Sequence, residues 1–166
     1  MENIKCLCGG CNFLVKEYNS PNIHLDNNIR KYKSGVILHN INSNKVLIVQ
    51  SRGHMWGFPK GSFELGENFK TCAIRELREE TGVIISIDDL VKEYRLSNFV
   101  MYYYVKVDFE LDDIKLQEGE YNDANGICWV KLDCLEDLMI SGKLNLNYHA
   151  RNCLYHFFKI TKNKLG

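Results

Sequence analysis

Three glutamates, Glu76, Glu79 and Glu80, follow Arg75 within six residues, and their i, i+3, i+4 spacing puts all three side chains on one face of a helix. Carboxylates so close repel one another and cost an isolated helix roughly 0.2–0.5 kcal/mol per pair. A cation against that face would remove the cost, and a hard divalent ion with oxygen ligands suits it. Clustered carboxylates and such ions together can neutralise a diphosphate and activate a water against it.

The helix that must carry this face has recognisable ends. Asn68 is a fair N-cap, Phe69, Ala73 and Leu77 repeat every four residues and should pack inward, and Gly82 supplies a left-handed stop. Upstream, Val36–Leu38 and Val46–Val49 flank the turn-forming Asn40 to Asn44 and read as a hairpin. Arg52 to Lys60, punctuated by Gly53, Gly57 and Pro59, reads as loop. Downstream, Val83–Ile85 reads as a strand. Phe99 to Leu111 alternates with period two, which predicts a half-buried strand whose Tyr102 and Tyr104 are available to a cleft. Lys115 to Asn125 reads as a polar loop and Ile127–Val130 as a short strand carrying Trp129, while Leu146, Ala150, Leu154, Phe157 and Phe158 have helical spacing. Strands with two well-separated helices predict an α/β sandwich, a mixed sheet covered on both sides.

At 166 residues and 45% hydrophobic composition the chain suits one catalytic-sized domain. The Cys- and Asn-rich residues 1–34 read as an N-terminal extension to a domain over 35–166. With 21 basic and 21 acidic residues no global field draws the protein to DNA or an anionic membrane. No apolar run approaches 18 residues and the first residues lack a signal-peptide core, so a cytoplasmic location is expected. Of the seven cysteines, Cys72, Cys128, Cys134 and Cys153 sit among core-like residues and read as small hydrophobes. Cys6, Cys8 and Cys11 are candidate zinc ligands that His24 could complete to a tetrahedral set, with free thiols in a loosely ordered extension as the alternative.

Gly61, Glu67, Arg75, Glu76, Leu77, Glu79, Glu80, Gly82 and Val83 occupy every fixed position of a Gly-x5-Glu-x7-Arg-Glu-aliphatic-x-Glu-Glu-x-Gly-aliphatic pattern. In this the stretch resembles the box of the Nudix hydrolases. The resemblance implies a loop-helix-loop on an α/β/α sandwich that hydrolyses a diphosphate linked to another moiety, using magnesium or manganese. It implies that Glu76, Glu79 and Glu80 hold the metal with the Gly61 carbonyl and that Arg75 orients the carboxylates, Glu79 being one partner. Glu79 or Glu80 would take the proton from water. Members of the family also recruit an acid from the loop after the long strand, where Asp123, Glu118 and Glu120 are candidates.

The run Trp56-Gly57-Phe58-Pro59-Lys60-Gly61 before the box is similar to the catalytic domain of mRNA-decapping enzymes, and diadenosine tetraphosphate hydrolases share its Pro-Lys-Gly part. Lys60 and Arg52 could each place a point charge on a phosphate, and Trp56 and Phe58 either contact substrate or pack at the mouth of the fold. Lys159, Lys162 and Lys164 could line an RNA path or simply favour a helix C-terminus. The expected partner is a capped RNA or a phosphorylated small molecule. mRNA decapping with release of methylated GDP comes first, and hydrolysis of a dinucleoside polyphosphate or diphosphoinositol polyphosphate second. The competitor from another class is a nucleotide- or RNA-binding module without turnover.

Overall fold

In the computed structural model, residues 4–16, 32–51, 53–108 and 124–160 are described. In chain order the strands are β1 (Leu14–Val15), β2 (Lys33–Asn40), β3 (Lys45–Gln50), β4 (Met55–Gly57), β5 (Lys60–Ser62), β6 (Lys92–Ser97), β7 (Val100–Val107), β8 (Gly126–Lys131) and β9 (Asn145–Leu146). The helices are α1 (Phe69–Thr81), α2 (Leu132–Ile140) and α3 (Tyr148–Phe158).

The expected hairpin forms the centre of a mixed sheet ordered β1-β8-β3-β2-β7-β6. β2 and β3 pair antiparallel only at the turn end, through His39↔Val46 and Asn40↔Lys45. The other end of that same β2 edge takes β5, through Lys33↔Ser62, Ser34↔Gly61 and Gly35↔Lys60. Along its opposite edge β2 runs parallel to β7 over its whole length. Because side chains alternate across a strand, the sheet feeds two cores. Val36, Leu38, Leu47 and Val49 pack with Ala73 and Leu77 of α1. Ile37, Val46 and Ile48 pack on the other face with Leu135 of α2 and Leu154 of α3. The expected α/β/α sandwich holds.

Several local expectations do not. Val83–Ile85 is not a strand: the chain leaves Gly82 in a left-handed conformation (φ 78°) and runs to a 3₁₀ turn at Ile87–Asp89, with the Ile84 side chain 76% exposed. Three β-branched residues in a row have strand propensity, but among the described residues no strand pairs with them. Met55–Gly57, placed inside a loop by its glycines, is a short strand that pairs with β3 and lies parallel to β9. β7 is buried on both faces rather than one. Tyr102 and Tyr104 face the core under α3, and each phenol is met by a histidine: Tyr102 Oη by His149 Nδ1 at 3.2 Å and Tyr104 Oη by His39 Nδ1 at 2.6 Å. A polar tip with a partner can be buried, so the polar-seeming face of this strand is no guide to solvent. Its expected continuation, Phe109 to Leu111, and residues 115–123 of the expected loop lie outside the described residues.

Two elements carry weak sequence signals. β6 is an edge strand with an exposed, charged pattern. α2 starts directly on the end of β8, with Lys131 as an N-cap that makes no side-chain capping bond. Leu146, grouped with the last helix by spacing, lies in β9 before it. Among the described residues no helix is long and apolar enough to cross a membrane.

Candidate active site

α1 is fixed at both ends. Asn68 Oδ1 accepts from the Thr71 amide and Thr71 Oγ1 accepts from the Asn68 amide, each at 2.9 Å, a reciprocal capping box. At the far end the Gly82 amide donates to the Arg78 carbonyl at 2.8 Å. Burial of Cys72, Ala73 and Leu77 against the sheet sets the rotation of the helix. The carboxylates of Glu76 and Glu80 are thereby brought to Gly61 and Lys60 ahead of the helix, with Glu79 held on Arg75 beside them.

Arg75 ties that loop to the helix. Its Nε donates to Glu67 Oε2 at 2.8 Å and its Nη2 to Glu67 Oε1 at 2.9 Å, a two-pronged grip. Nη2 also donates to the Ser62 carbonyl, and Nη1 donates to Glu76 Oε1 at 2.8 Å and to Glu79 Oε2 at 2.9 Å. Hydrogen bonding to Glu67 holds the guanidinium pKa above its ordinary value, and the same bonds hold the Glu67 carboxyl below its own. Glu67 further accepts from the Glu64 amide at 2.7 Å, closing the turn. Tyr32, Phe63 and Phe69 pack ring to ring at 5.0–5.8 Å beside it.

Gly61 lies against Glu76. A Cβ at this glycine would overlap the Glu76 carboxyl, so only a hydrogen leaves room for the acid to reach the loop backbone. Burial pushes the Glu76 carboxyl pKa up in spite of Arg75, which means the charged form lacks full compensation there. Glu80, also buried, accepts from the Lys60 amide through Oε2 at 3.1 Å. Lys60 itself is half-buried. That burial, and next the charge of Lys33, lowers its pKa, while Glu80 and Glu76 oppose the shift.

Three carboxylates, those of Glu67, Glu76 and Glu79, thus share one guanidinium, with Glu80 beside them. The excess negative charge, the half-buried Glu76 and the cradle that a Cβ would fill all fit a hard divalent cation.

The structure therefore brings together Gly61, Arg75, Glu76, Glu79 and Glu80, with Lys60 adjoining. Trp56 and Phe58, for which substrate contact and packing were both open, are core residues at 1% and 2% exposure. Arg52, Asp123, Glu118, Glu120 and His24 lie outside the described residues, as do Lys162 and Lys164. Lys159 caps α3, its Nζ donating to the His156 carbonyl at 3.4 Å. Cys6, Cys8 and Cys11 do gather, and they are joined by Cys134, which its apolar neighbours in sequence had marked as core filler. The partner of Arg75 that sequence reasoning left without a role is Glu67, whose fixed spacing from Gly61 was its signal. Lys33 and His149 near Lys60 had none.

A family model described as NUDIX domain matches residues 30–150. The chain belongs to the Nudix hydrolase family. Within that family it is similar to protein 111R of Invertebrate iridescent virus 3, whose name assigns it to the hydrolases. The two are 34% identical over 148 residues, which span 85% of this chain and 84% of the relative. It is also similar to m7GpppN-mRNA hydrolase dcap-2 of Caenorhabditis elegans, 33% identical over 117 residues, or 64% of this chain; the match spans only 15% of that relative's length. Among solved structures, the bifunctional NMN adenylyltransferase/ADP ribose pyrophosphatase of Francisella tularensis superposes with a TM-score of 0.59 at 16% identity, covering 86% of this chain and 42% of that one. The Escherichia coli dihydroneopterin triphosphate pyrophosphohydrolase does so at 0.54 and 16% identity, covering 75% and 92%. At such identities the likeness to these two is one of fold.

Proposed function

We propose that this Nudix hydrolase is a magnesium- or manganese-dependent diphosphatase whose substrate is the 5′ cap of an RNA, cleaved to release methylated GDP. The observation that carries the reaction class is the acidic face of α1, with Glu76 against Gly61, Glu80 on the Lys60 amide and Arg75 locked between Glu76 and Glu79. Similarity to the worm cap hydrolase and the Trp56–Gly61 run support the cap over other diphosphates.

A divalent ion held by Glu76, Glu79, Glu80 and the Gly61 carbonyl would offset phosphate charge and acidify a water. The residues of the chain supply the rest. Arg75 keeps Glu76 and Glu79 in place through hydrogen bonds of 2.8 and 2.9 Å, so neither carboxylate has to reorganise when substrate arrives. Glu79 or Glu80 takes the proton of the attacking water, with Asp123 as the candidate from the neighbouring loop. Lys60 offers its ammonium to a phosphate; a half-desolvated cation gains more from an incoming anion than a solvated one does. Arg52 could add a second charge.

The second reading is cleavage of a dinucleoside polyphosphate or a diphosphoinositol polyphosphate, favoured by the Pro59-Lys60-Gly61 sequence. The test is a panel with either metal, comparing cap-labelled RNA, free cap dinucleotide, dinucleoside polyphosphates and a diphosphoinositol. Release of methylated GDP from long RNA but not from free cap is expected, and preference for the small molecules overturns the cap assignment. Glu79→Gln and Glu80→Gln should each cut turnover by at least ~100-fold, about 2.8 kcal/mol of barrier, with the fold retained. Undiminished turnover in both would remove these two glutamates from the catalytic role, and no turnover of any substrate in the panel by the wild type would leave a binding module.

A further inference from the structure

Away from the glutamate helix, on the opposite side of the sheet, four cysteines meet. Cys6, Cys8 and Cys11 come from the N-terminal segment and Cys134 from the first turn of α2, and their sulfurs all lie within 4.8 Å of one another. The Cys6 and Cys8 sulfurs are 3.3 Å apart and those of Cys8 and Cys11 3.9 Å, and all four thiols are free. A zinc ion with Zn–S bonds of ~2.3 Å in a tetrahedron separates its sulfurs by ~3.8 Å, so the four are grouped on the scale of one ion. Disulfide sulfurs approach to ~2.05 Å, and a Cys-x-Cys pair would close a strained ring.

Backbone groups converge on the same sulfurs. The Gly10 amide donates to Cys8 Sγ at 3.2 Å and the Lys131 amide to Cys11 Sγ at 3.4 Å. Gly9, at φ 69°, closes a turn by donating from its amide to the Cys6 carbonyl, and this turn brings three thiols of one short segment toward one another. Amides aimed at sulfur favour thiolates and orient them, as outer hydrogen bonds do around metal ligands. One donor comes from the N-terminal knuckle and the other from the β8–α2 junction, so each segment that meets at the cluster directs an amide at its sulfurs.

We propose that Cys6, Cys8, Cys11 and Cys134 bind one zinc ion as a closed, structural tetrathiolate site. The thiols lose their protons to solvent as the four Zn–S bonds form. The ion fastens the N-terminal segment to α2, and the segment continues from there to the catalytic side. Phe13 stacks edge-on against Trp56 at 5.3 Å, β1 pairs with β8, and the Lys16 amide donates to the Asn125 carbonyl. Trp56 opens the run that leads to Lys60 and Gly61, so the zinc holds in place a prop for the loop that bears the active site.

The test is metal analysis of the full chain purified without added chelator. About one zinc per chain is expected, unchanged in Glu79→Gln and in Cys153→Ala, and at least halved in Cys11→Ser and in Cys134→Ser. Zinc below ~0.2 equivalents, or zinc unaltered by Cys134→Ser, overturns the site. Should the serine variants fail to fold, cobalt exchanged into the wild-type protein gives a second readout. Thiolate-to-cobalt charge transfer with the visible bands of a tetrahedral ion is expected, and an octahedral oxygen-ligand spectrum overturns the assignment. Because Glu79→Gln must keep its zinc, failure here and failure of the diphosphatase reading are separate results.

Discussion

Glu67 grips Arg75 with both carboxylate oxygens, at 2.8 Å to Nε and 2.9 Å to Nη2, and in doing so sets the arginine whose remaining nitrogen holds Glu76 and Glu79. Both side chains are 13% exposed. Hydrogen bonds between charged groups at such depth contribute about 1.5–3 kcal/mol. Glu67→Gln keeps one acceptor and loses the charge, so urea unfolding should show a loss of about 1–3 kcal/mol, with activity falling too. Arg75→Lys should fare no better than Arg75→Ala, because a point charge cannot serve the five oxygens, on four residues, that the guanidinium meets. Rescue by lysine would show that charge alone, without the fork, is what the site needs.

Gly61→Ala should separate metal binding from folding. The added methyl displaces the Glu76 carboxyl while leaving the sheet and α1 packed. In the wild type, manganese at a hundred times its dissociation constant should stabilise the fold by about 2.7 kcal/mol. In Gly61→Ala and in Glu76→Gln that gain should at least halve, read from unfolding midpoints with and without metal. An undiminished gain in both would place the ion elsewhere.

The ends and inner face of α1 could be read in advance because each signal is local: a cap at Asn68, a four-residue apolar repeat, a glycine stop. The grouping around Arg75 was half legible. Glu79 at i+4 follows from helix geometry, whereas Glu67 meets Arg75 through the fold of a loop that spacing alone cannot draw. Tyr102 shows the commoner failure. Its place in the alternation suggested a cleft tyrosine, and what decided otherwise was a distant segment carrying His149. Cys134 is a core thiol as read, but that Cys6, Cys8 and Cys11 gather beside it was not legible. Long-range partners leave no trace in periodicity.

His149 should make the fold acid-sensitive. Burial first, and then the charges of Lys60 and Lys33, hold its ring at about 4, below its ordinary 6.5. An unfolded chain binds the proton as pH falls through 6.5 while the folded one resists until about 4. The contribution of the neutral ring is therefore complete above pH 6.5 and is lost progressively down to about 4. Melting temperatures over that window should fall less steeply in His149→Gln, which can still meet the Tyr102 hydroxyl. Parallel slopes for variant and wild type would remove the histidine from the account.

Lys60→Met should raise KM for the cleaved substrate roughly tenfold, about 1.4 kcal/mol, and change kcat less. The methionine fills the same volume and leaves the backbone amide that Glu80 accepts from. A fall in kcat with KM unchanged would instead assign the lysine to the transition state.

The edge of β2 also dictates where the chain can change length during evolution. Lys33, Ser34 and Gly35 align Ser62, Gly61 and Lys60 on one side while Val100, Met101 and Tyr102 align on the other, and Gly35 is bare because Pro59 and Tyr102 leave no room for a side chain. One residue inserted or deleted here would slip the pairing by one and put Lys60 or Ser62 where Gly61 stands, driving a side chain into Glu76. The hairpin turn at 41–44, at the opposite end of the same strand, is held by hydrogen bonds of Asn42 to the Asp108 carbonyl and of Asn44 to His39 and the Leu132 amide, and no side chain there fixes the place of Gly61. Homologous chains should vary more in length at that turn than between Pro59 and Ser62.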